Sequence, residues 1–212
     1  MTDTLTFYTN PMSRGRVARW MLEEVGAPYE TVLLDYGTSM KDPDYLALNP
    51  MGKVPAIRHR DIMVTETAAI CAYLADSFPD AMLAPPPGHR KRGPYYRWMF
   101  FAAGPVEAAV TDRALEVSFP PEKSAFVGYG SFDEAIDALK LAITPGPYIC
   151  GEQFTAADVY VGSQIGWGMT FGTIPKRPGF EEYFARLSAR PAAMRAREID
   201  DTIIAEQKAA GQ

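Results

Sequence analysis

The sequence predicts an α/β domain followed by an all-helical domain, and three observations carry that prediction. The first eighty residues alternate short β-branched or aromatic runs with amphipathic stretches, in the order βαβ-α-ββα. Residues 79–93 are rich in proline, glycine and charge, with Pro85-Pro86-Pro87-Gly88 the clearest run, as a linker requires. Beyond them, apolar residues recur at helical spacing to the end of the chain. The expected domains are residues 1–80 and 90–212, which suits a chain of 212 residues with room for a sizeable core.

Each element follows from local chemistry. Leu5-Thr6-Phe7-Tyr8 reads as a short strand. Pro11 and Ser13 open a helix with Val17, Trp20, Met21, Leu22 and Val25 on one face; Gly26 ends it and Pro28 prevents its resumption. Tyr29–Leu34 is a second strand and Asp44–Leu48 a short helix. Val54–Arg58 and Ile62–Thr65 form two strands about the turn His59-Arg60-Asp61, and a helix begins at Glu66 and ends by Phe78-Pro79. In the second domain, Pro94–Glu116 carries Tyr95, Trp98, Met99 and Phe101 at helical spacing, and Glu122–Ile143 reads as one long helical region. Thr155-Ala156-Ala157-Asp158 is a capping box with Asp in the place of Glu or Gln, followed by an apolar helix through Val159, Val161 and Ile165. Gly179–Leu187 and Pro191–Ile203 are the last two helices.

Composition excludes several classes. A 47% hydrophobic content with 12% aromatics is that of a folded globule. The net charge of −5 and the brevity of Arg90-Lys91-Arg92 argue against a nucleic-acid partner. No apolar run approaches the roughly 20 residues of a membrane span. The N-terminus lacks a secretory pattern. Cys71 and Cys150 stand far apart, and Cys71 falls within an apolar helix, as a buried free thiol does. These features together predict a cytoplasmic protein. His59 and His89 have no partners at metal-ligand spacing, so no metal is expected.

Two motifs carry chemistry. In Asn49-Pro50-Met51-Gly52-Lys53-Val54-Pro55, Val54 can leave its N–H and C=O for an extended peptide, a reading that requires a cis bond before Pro55, which the sequence alone does not fix. In Glu66-Thr67, the first turn of a helix offers free N–H groups and a favourable dipole to a carboxylate, Thr67 adds a hydroxyl, and Glu66 can pair with an ammonium. The competing role for Thr65-Glu66-Thr67 is a plain helix cap. A pocket that reads a peptide backbone and then a zwitterionic amino-acid end fits glutathione.

The βαβ-α-ββα domain with a proline before its third strand, the linker and the helical domain resemble a cytosolic glutathione transferase over essentially the whole chain. Four segments carry the resemblance: Ser13-Arg14 through Pro28-Tyr29-Glu30, which is similar to bacterial members; Asn49-Pro50 through Pro55; Glu66-Thr67 with Ile70, Tyr73 and Leu74; and Gly151-Glu152, Phe154 and Thr155–Asp158. The resemblance implies a thioredoxin-like first domain and a glutathione co-substrate whose ionised thiol attacks a small hydrophobic electrophile, with peroxidase activity as an accompaniment. It also implies a homodimer.

By the same resemblance, Ser13 is the thiol's hydrogen-bond donor, in a bacterial serine-type arrangement. Tyr8 ranks second, and Asn10 and Arg14 are the other groups able to polarise the sulfur; the ordinary role of Ser13 is a helix cap. No cysteine lies in the Thr9–Arg16 loop, which argues against the cysteine-bearing thiol-reducing relatives. Val54 would pair with the cysteinyl backbone, Glu66 and Thr67 would hold the γ-glutamyl end, and Lys53, or less favourably Lys41, would meet the glycyl carboxylate. The electrophile would lie between the domains beside the Pro94–Glu116 helix, where Tyr95, Met99 and Phe101 are candidate lining residues, each as readily core; Trp167, Met169 and Phe171 would border it or pack. The alternatives are a non-catalytic binder of glutathione or hydrophobic ligands, or a glutathione-dependent isomerase or dehalogenase.

Overall fold

The computed structural model describes residues 4–144 and 146–211, so the outermost residues of both expected domains, 1–3 and 212, lie outside the described residues. Along the chain the first elements are β1 (Leu5–Thr9), α1 (Gly15–Val25), β2 (Tyr29–Leu33), α2 (Pro43–Leu48), β3 (Ala56–His59), β4 (Ile62–Thr65) and α3 (Thr67–Ser77). They are followed by α4 (Arg92–Phe101), α5 (Glu107–Ala114), α6 (Phe132–Ala142), α7 (Ala156–Phe171), α8 (Phe180–Ser188) and α9 (Pro191–Ala209). Two compact units result, one of residues up to Met82 together with Ala189–Gln212, the other Leu83–Ser188.

The first unit is built on a four-stranded sheet of order β2-β1-β3-β4. β1 and β2 are parallel, and β3 runs antiparallel to both β1 and β4. Alternation in β1 buries Leu5, Phe7 and Thr9, the period that one covered face imposes. Ile57, Ile70, Leu74, Met21 and Leu22 are fully buried around that core. Gly26 closes α1 at φ 72°, donating its N–H to the Leu22 carbonyl; a left-handed closing residue is the place where glycine carries no Cβ penalty. On the other face Tyr8 packs with Leu34, Met40 and Tyr45. Arg60 turns the β3–β4 hairpin at φ 59°.

α9 also belongs to this unit. Sequence distance groups it with the residue 90–212 helices, yet its contacts are made on α1. Arg190 forms a bidentate pair with Glu24 at 2.7 and 2.8 Å, Arg195 pairs with Glu23 at 3.2 Å, Arg19 with Asp200 at 2.8 Å, and Arg16 with Asp201.

The second unit is helical, with two departures from expectation. The Pro94–Glu116 stretch is not one regular helix: it passes through a π-helical turn at Ala102–Val106 between α4 and α5. Pro105 within that turn has no N–H to give, so the ladder must rearrange there. The Glu122–Ile143 region is broken as well, into a 3-10 segment at Pro121–Phe126 and α6. Gly130 at φ 71° and a capping box of Ser131 with Glu134 start α6 afresh.

The expected capping box at Thr155 is present. Asp158 is fully buried; its carboxylate accepts from the Ile149 and Thr155 N–H groups at 2.8 Å each, the Tyr183 hydroxyl at 2.9 Å and the Thr155 hydroxyl at 3.0 Å. Burial pushes that carboxyl up, and the four donors pull it back. Among the described residues no helix is long and apolar enough to cross a membrane.

Candidate functional site

The strand register gathers the sequence-predicted residues at one end of the sheet. Tyr8 lies opposite Ala56, and Ala56 lies opposite Thr65. The last residues of β1 and β4 and the first of β3 therefore share an edge, within about two strand spacings, roughly 10 Å. From that edge issue the Asn10–Arg14 loop leading to α1, the Lys53-Val54-Pro55 approach to β3, and the Glu66-Thr67 start of α3. Ser13, Lys53, Val54, Glu66 and Thr67 are brought to one place because an antiparallel β3 reverses the chain between two strands that point the same way.

At the first segment, Asn10 is the organiser. Its amide donates to the Leu34 carbonyl at 2.9 Å and its side-chain oxygen accepts from the Met12 N–H at 2.9 Å. Both functions are engaged in holding the loop. Ser13 is buried; its hydroxyl donates to the Asn10 carbonyl at 2.6 Å and accepts from the Gly15 N–H at 2.9 Å. Gly15 lets α1 start this close to β1, since a Cβ there would stand 1.9 Å from Thr9 Oγ1. Tyr8 turns its ring toward Tyr45, centroid to centroid 5.6 Å, and is part of the cluster on that face.

At the second segment the Val54–Pro55 bond is cis, the isomer on which the sequence reading of Val54 rests. No backbone hydrogen bond among the described residues uses the N–H or C=O of Val54. The preceding loop is held firmly: the Lys53 carbonyl accepts from the Tyr45 hydroxyl at 2.6 Å and from the Asn49 amide at 2.8 Å. Burial pushes the Tyr45 hydroxyl up, which keeps it a donor. Lys41 donates to the carbonyls of Met51 and Gly52, both at 3.1 Å. The Lys53 side chain is exposed.

At the third segment Glu66 stands at φ 65°, ψ 117°, a conformation costly for a residue with a Cβ. Its carboxylate is exposed, and neither it nor the hydroxyl of the buried Thr67 has a partner among the described residues. Among the described residues no side chain caps α3, which leaves its first N–H groups without a capping partner. The plain-cap reading of Thr65-Glu66-Thr67 thus lacks the hydrogen bond it requires.

Sequence reasoning missed Tyr45, Asn49 and Gly15 as supports of the site. Their contacts reach only a few residues along the chain, but which side chain meets which group is set by the folded turn, which no local pattern states. Of the aromatic stripe on α4, Tyr95 and Met99 are buried core and Phe101 is half-buried against Trp98. Trp167 is half-buried and Phe171 exposed. His59 is buried, bonded to the Tyr73 hydroxyl at 3.0 Å and stacked on Phe78. Among the described residues no group of three His, Cys, Asp or Glu is arranged to hold a metal.

Comparison with known proteins agrees with this geometry. Residues 3–76 match the family model of the glutathione S-transferase N-terminal domain. A glutathione S-transferase of Escherichia coli O157:H7 is 28% identical over 191 residues, 87% of this chain and 90% of its own. The crystal structure of a glutathione transferase from Methylococcus capsulatus superposes with a TM-score of 0.76 at 28% identity, covering 93% of this chain and 99% of that one. A glutathione transferase homologue from Sulfitobacter, solved with glutathione bound, gives 0.73 at 26% identity over 93% and 98% of the two chains. The first unit is therefore similar to a glutathione S-transferase N-terminal domain, and the likeness to bacterial glutathione transferases extends over nearly the whole chain.

Proposed function

We propose that this protein is a glutathione S-transferase of the serine type, using Ser13 to hold the glutathione thiolate for attack on a small hydrophobic electrophile. The observation that carries the reading is the set of unpaired groups on one sheet edge. There the Val54 backbone, the Glu66 carboxylate, the Thr67 hydroxyl and the first N–H groups of α3 all lack partners among the described residues. They match a γ-glutamyl peptide in order: carboxylate at the α3 N-terminus and Thr67, ammonium at Glu66, cysteinyl amide along Val54, glycyl carboxylate toward Lys53.

In the reaction the bound thiol gives up its proton, the sulfur lone pair forms a bond to the electrophilic carbon, and the leaving group departs with its electron pair. The proton is lost to solvent. Ser13 serves by turning its hydroxyl hydrogen from the Asn10 carbonyl to the sulfur while Gly15 continues to donate to its oxygen, which strengthens the O–H as a donor. The engagement of that hydroxyl with Asn10 is also what favours the second reading, a glutathione-binding protein without conjugating activity. A homodimer and a cytoplasmic location accompany the first reading.

Calorimetric titration of glutathione tests the binding half. Wild type should bind, and Glu66→Ala/Thr67→Ala should lose at least tenfold, since a hydrogen bond to a charged group is worth about 1.5–3 kcal/mol. Absence of binding in the wild type would sink the proposal. Ser13→Ala decides between the two readings: conjugation of chlorodinitrobenzene should fall by about a hundredfold, the typical effect of removing one such donor, with glutathione affinity retained. A wild type that binds glutathione and conjugates nothing in a broad electrophile panel is a binding protein.

A further inference from the structure

The α1–α9 face holds a charged cluster that the proposed chemistry does not use. Arg19 is 1% exposed and pairs with Asp200, also 1% exposed, at 2.8 Å. Its Nη1 lies 3.2 Å from the Tyr29 hydroxyl and 3.4 Å from Thr31 Oγ1. The guanidinium stands 5.1 Å from the centre of the Phe7 ring and 5.9 Å from that of Tyr29. One side chain thus touches α9, β2 and β1 while rooted in α1. The ion pair is poorly matched: Arg19 Nη2 and Asp200 Oδ2 are buried with no partner among the described residues. A monodentate pair with orphaned atoms is a weak source of stability. Buried ionic groups have a better-attested use in fixing register.

Register matters here because α1 carries the thiol loop. Arg19 is four residues beyond Gly15, about 6 Å along the helix. Gly15 is pressed against Thr9, and only the five residues Asn10–Arg14 separate β1 from α1. A shift of α1 along the sheet therefore has no slack to absorb it before Ser13. Arg16–Asp201 and Glu23–Arg195, both partly exposed, and Glu24–Arg190, whose Glu24 side chain is buried, also tie α1 to α9 and its N-cap.

We propose that Arg19 is a positioning residue: paired with Asp200, it locks α1 in register on β1 and β2 and so sets where the Ser13 hydroxyl meets the glutathione sulfur. The inference rests on the transferase reading. It assigns to α9 a role in thiol acidity, exerted through α1 and without contact with the ligand. Displacements near 1 Å are enough to cost about a hundredfold in rate.

The test follows the acidity of the glutathione thiol bound to the full-length protein, by thiolate ultraviolet absorption against pH. Two variants are used, Asp200→Asn and Arg19→Lys, the second keeping the charge but not the contacts to Tyr29 and Thr31. Both should raise the titration midpoint and lower chlorodinitrobenzene turnover below that midpoint by about tenfold, the factor of one unit in thiol acidity, with glutathione affinity little changed. Asp158→Ala in the second unit is the control: it should lower the melting temperature and leave the midpoint where it is. An unmoved midpoint in the folded Arg19→Lys variant overturns the inference and makes the cluster merely structural; this arm stands even if Asp200→Asn does not fold. Absence of glutathione binding to the wild type, seen before any substitution, overturns the transferase reading itself.

Discussion

Glu66 holds φ 65° with a full side chain, at the start of a helix whose N–H groups nothing caps. Backbone strain of this kind costs of order 1–3 kcal/mol and is tolerated where function needs it. Glycine at this position takes the same angles without penalty, though it loosens the unfolded chain. Glu66→Gly should therefore raise stability by about 1 kcal/mol, net of that loosening, and weaken glutathione binding; thermal unfolding alongside calorimetry reads both. A variant no more stable than wild type would mean that the conformation is not strained. At the same scale, burial pushes the Cys71 thiol up to about 12. The thiol therefore stays protonated at neutral pH and is closed off from solvent, so Cys71 should resist a disulfide reagent in the native protein and react on unfolding. The sequence identified Cys71 as buried from its place in an apolar helix. It also placed Glu66 at the start of a helix after a strand, as observed, but did not give its backbone angle.

The elements of the second unit depend on glycines that let helices approach. A Cβ on Gly166 in α7 would meet three ring atoms of Phe184 in α8 at 2.1–2.5 Å. The ring would have to move as a body. Alanine favours the helix by about 1 kcal/mol, but overpacking of this kind costs roughly 1–3 kcal/mol, so Gly166→Ala should destabilise in urea titration; a stabilised variant would mean that α8 yields easily. The apolar pattern made α7 legible, and the capping box fixed its start. The same pattern misjudged α4–α5 and α6, because periodicity sees apolar faces and not the interruption by Pro105 or the new start at Ser131.

Across the whole molecule, α9 returns to the first unit, and its two adjacent acids offer a contrast. Asp200 is buried against Arg19, whereas the Asp201 side chain is 57% exposed against Arg16. Removing one partner of a buried pair strands a charge at a cost of about 3–5 kcal/mol, while an exposed pair is worth at most about 1 kcal/mol. Asp200→Ala should thus lower the urea midpoint far more than Asp201→Ala, and equal effects would contradict the burial.

The chain by itself determined the βαβ-α-ββα order, the linker, the helical second half, and the Val54 and Glu66-Thr67 motifs, because each rests on spacing within a few residues; the reading of Ser13 came from the family resemblance. Tertiary structure decided the rest. Strand register brought the three motifs to one edge, and Tyr45 and Asn49 came to hold the Lys53 carbonyl. Arg19 found Asp200 at the far end of the sequence. The Arg19–Asp200 contact spans 181 positions and those of Tyr45 and Asn49 only eight and four; in each case the partner is selected by packing, which no local pattern encodes.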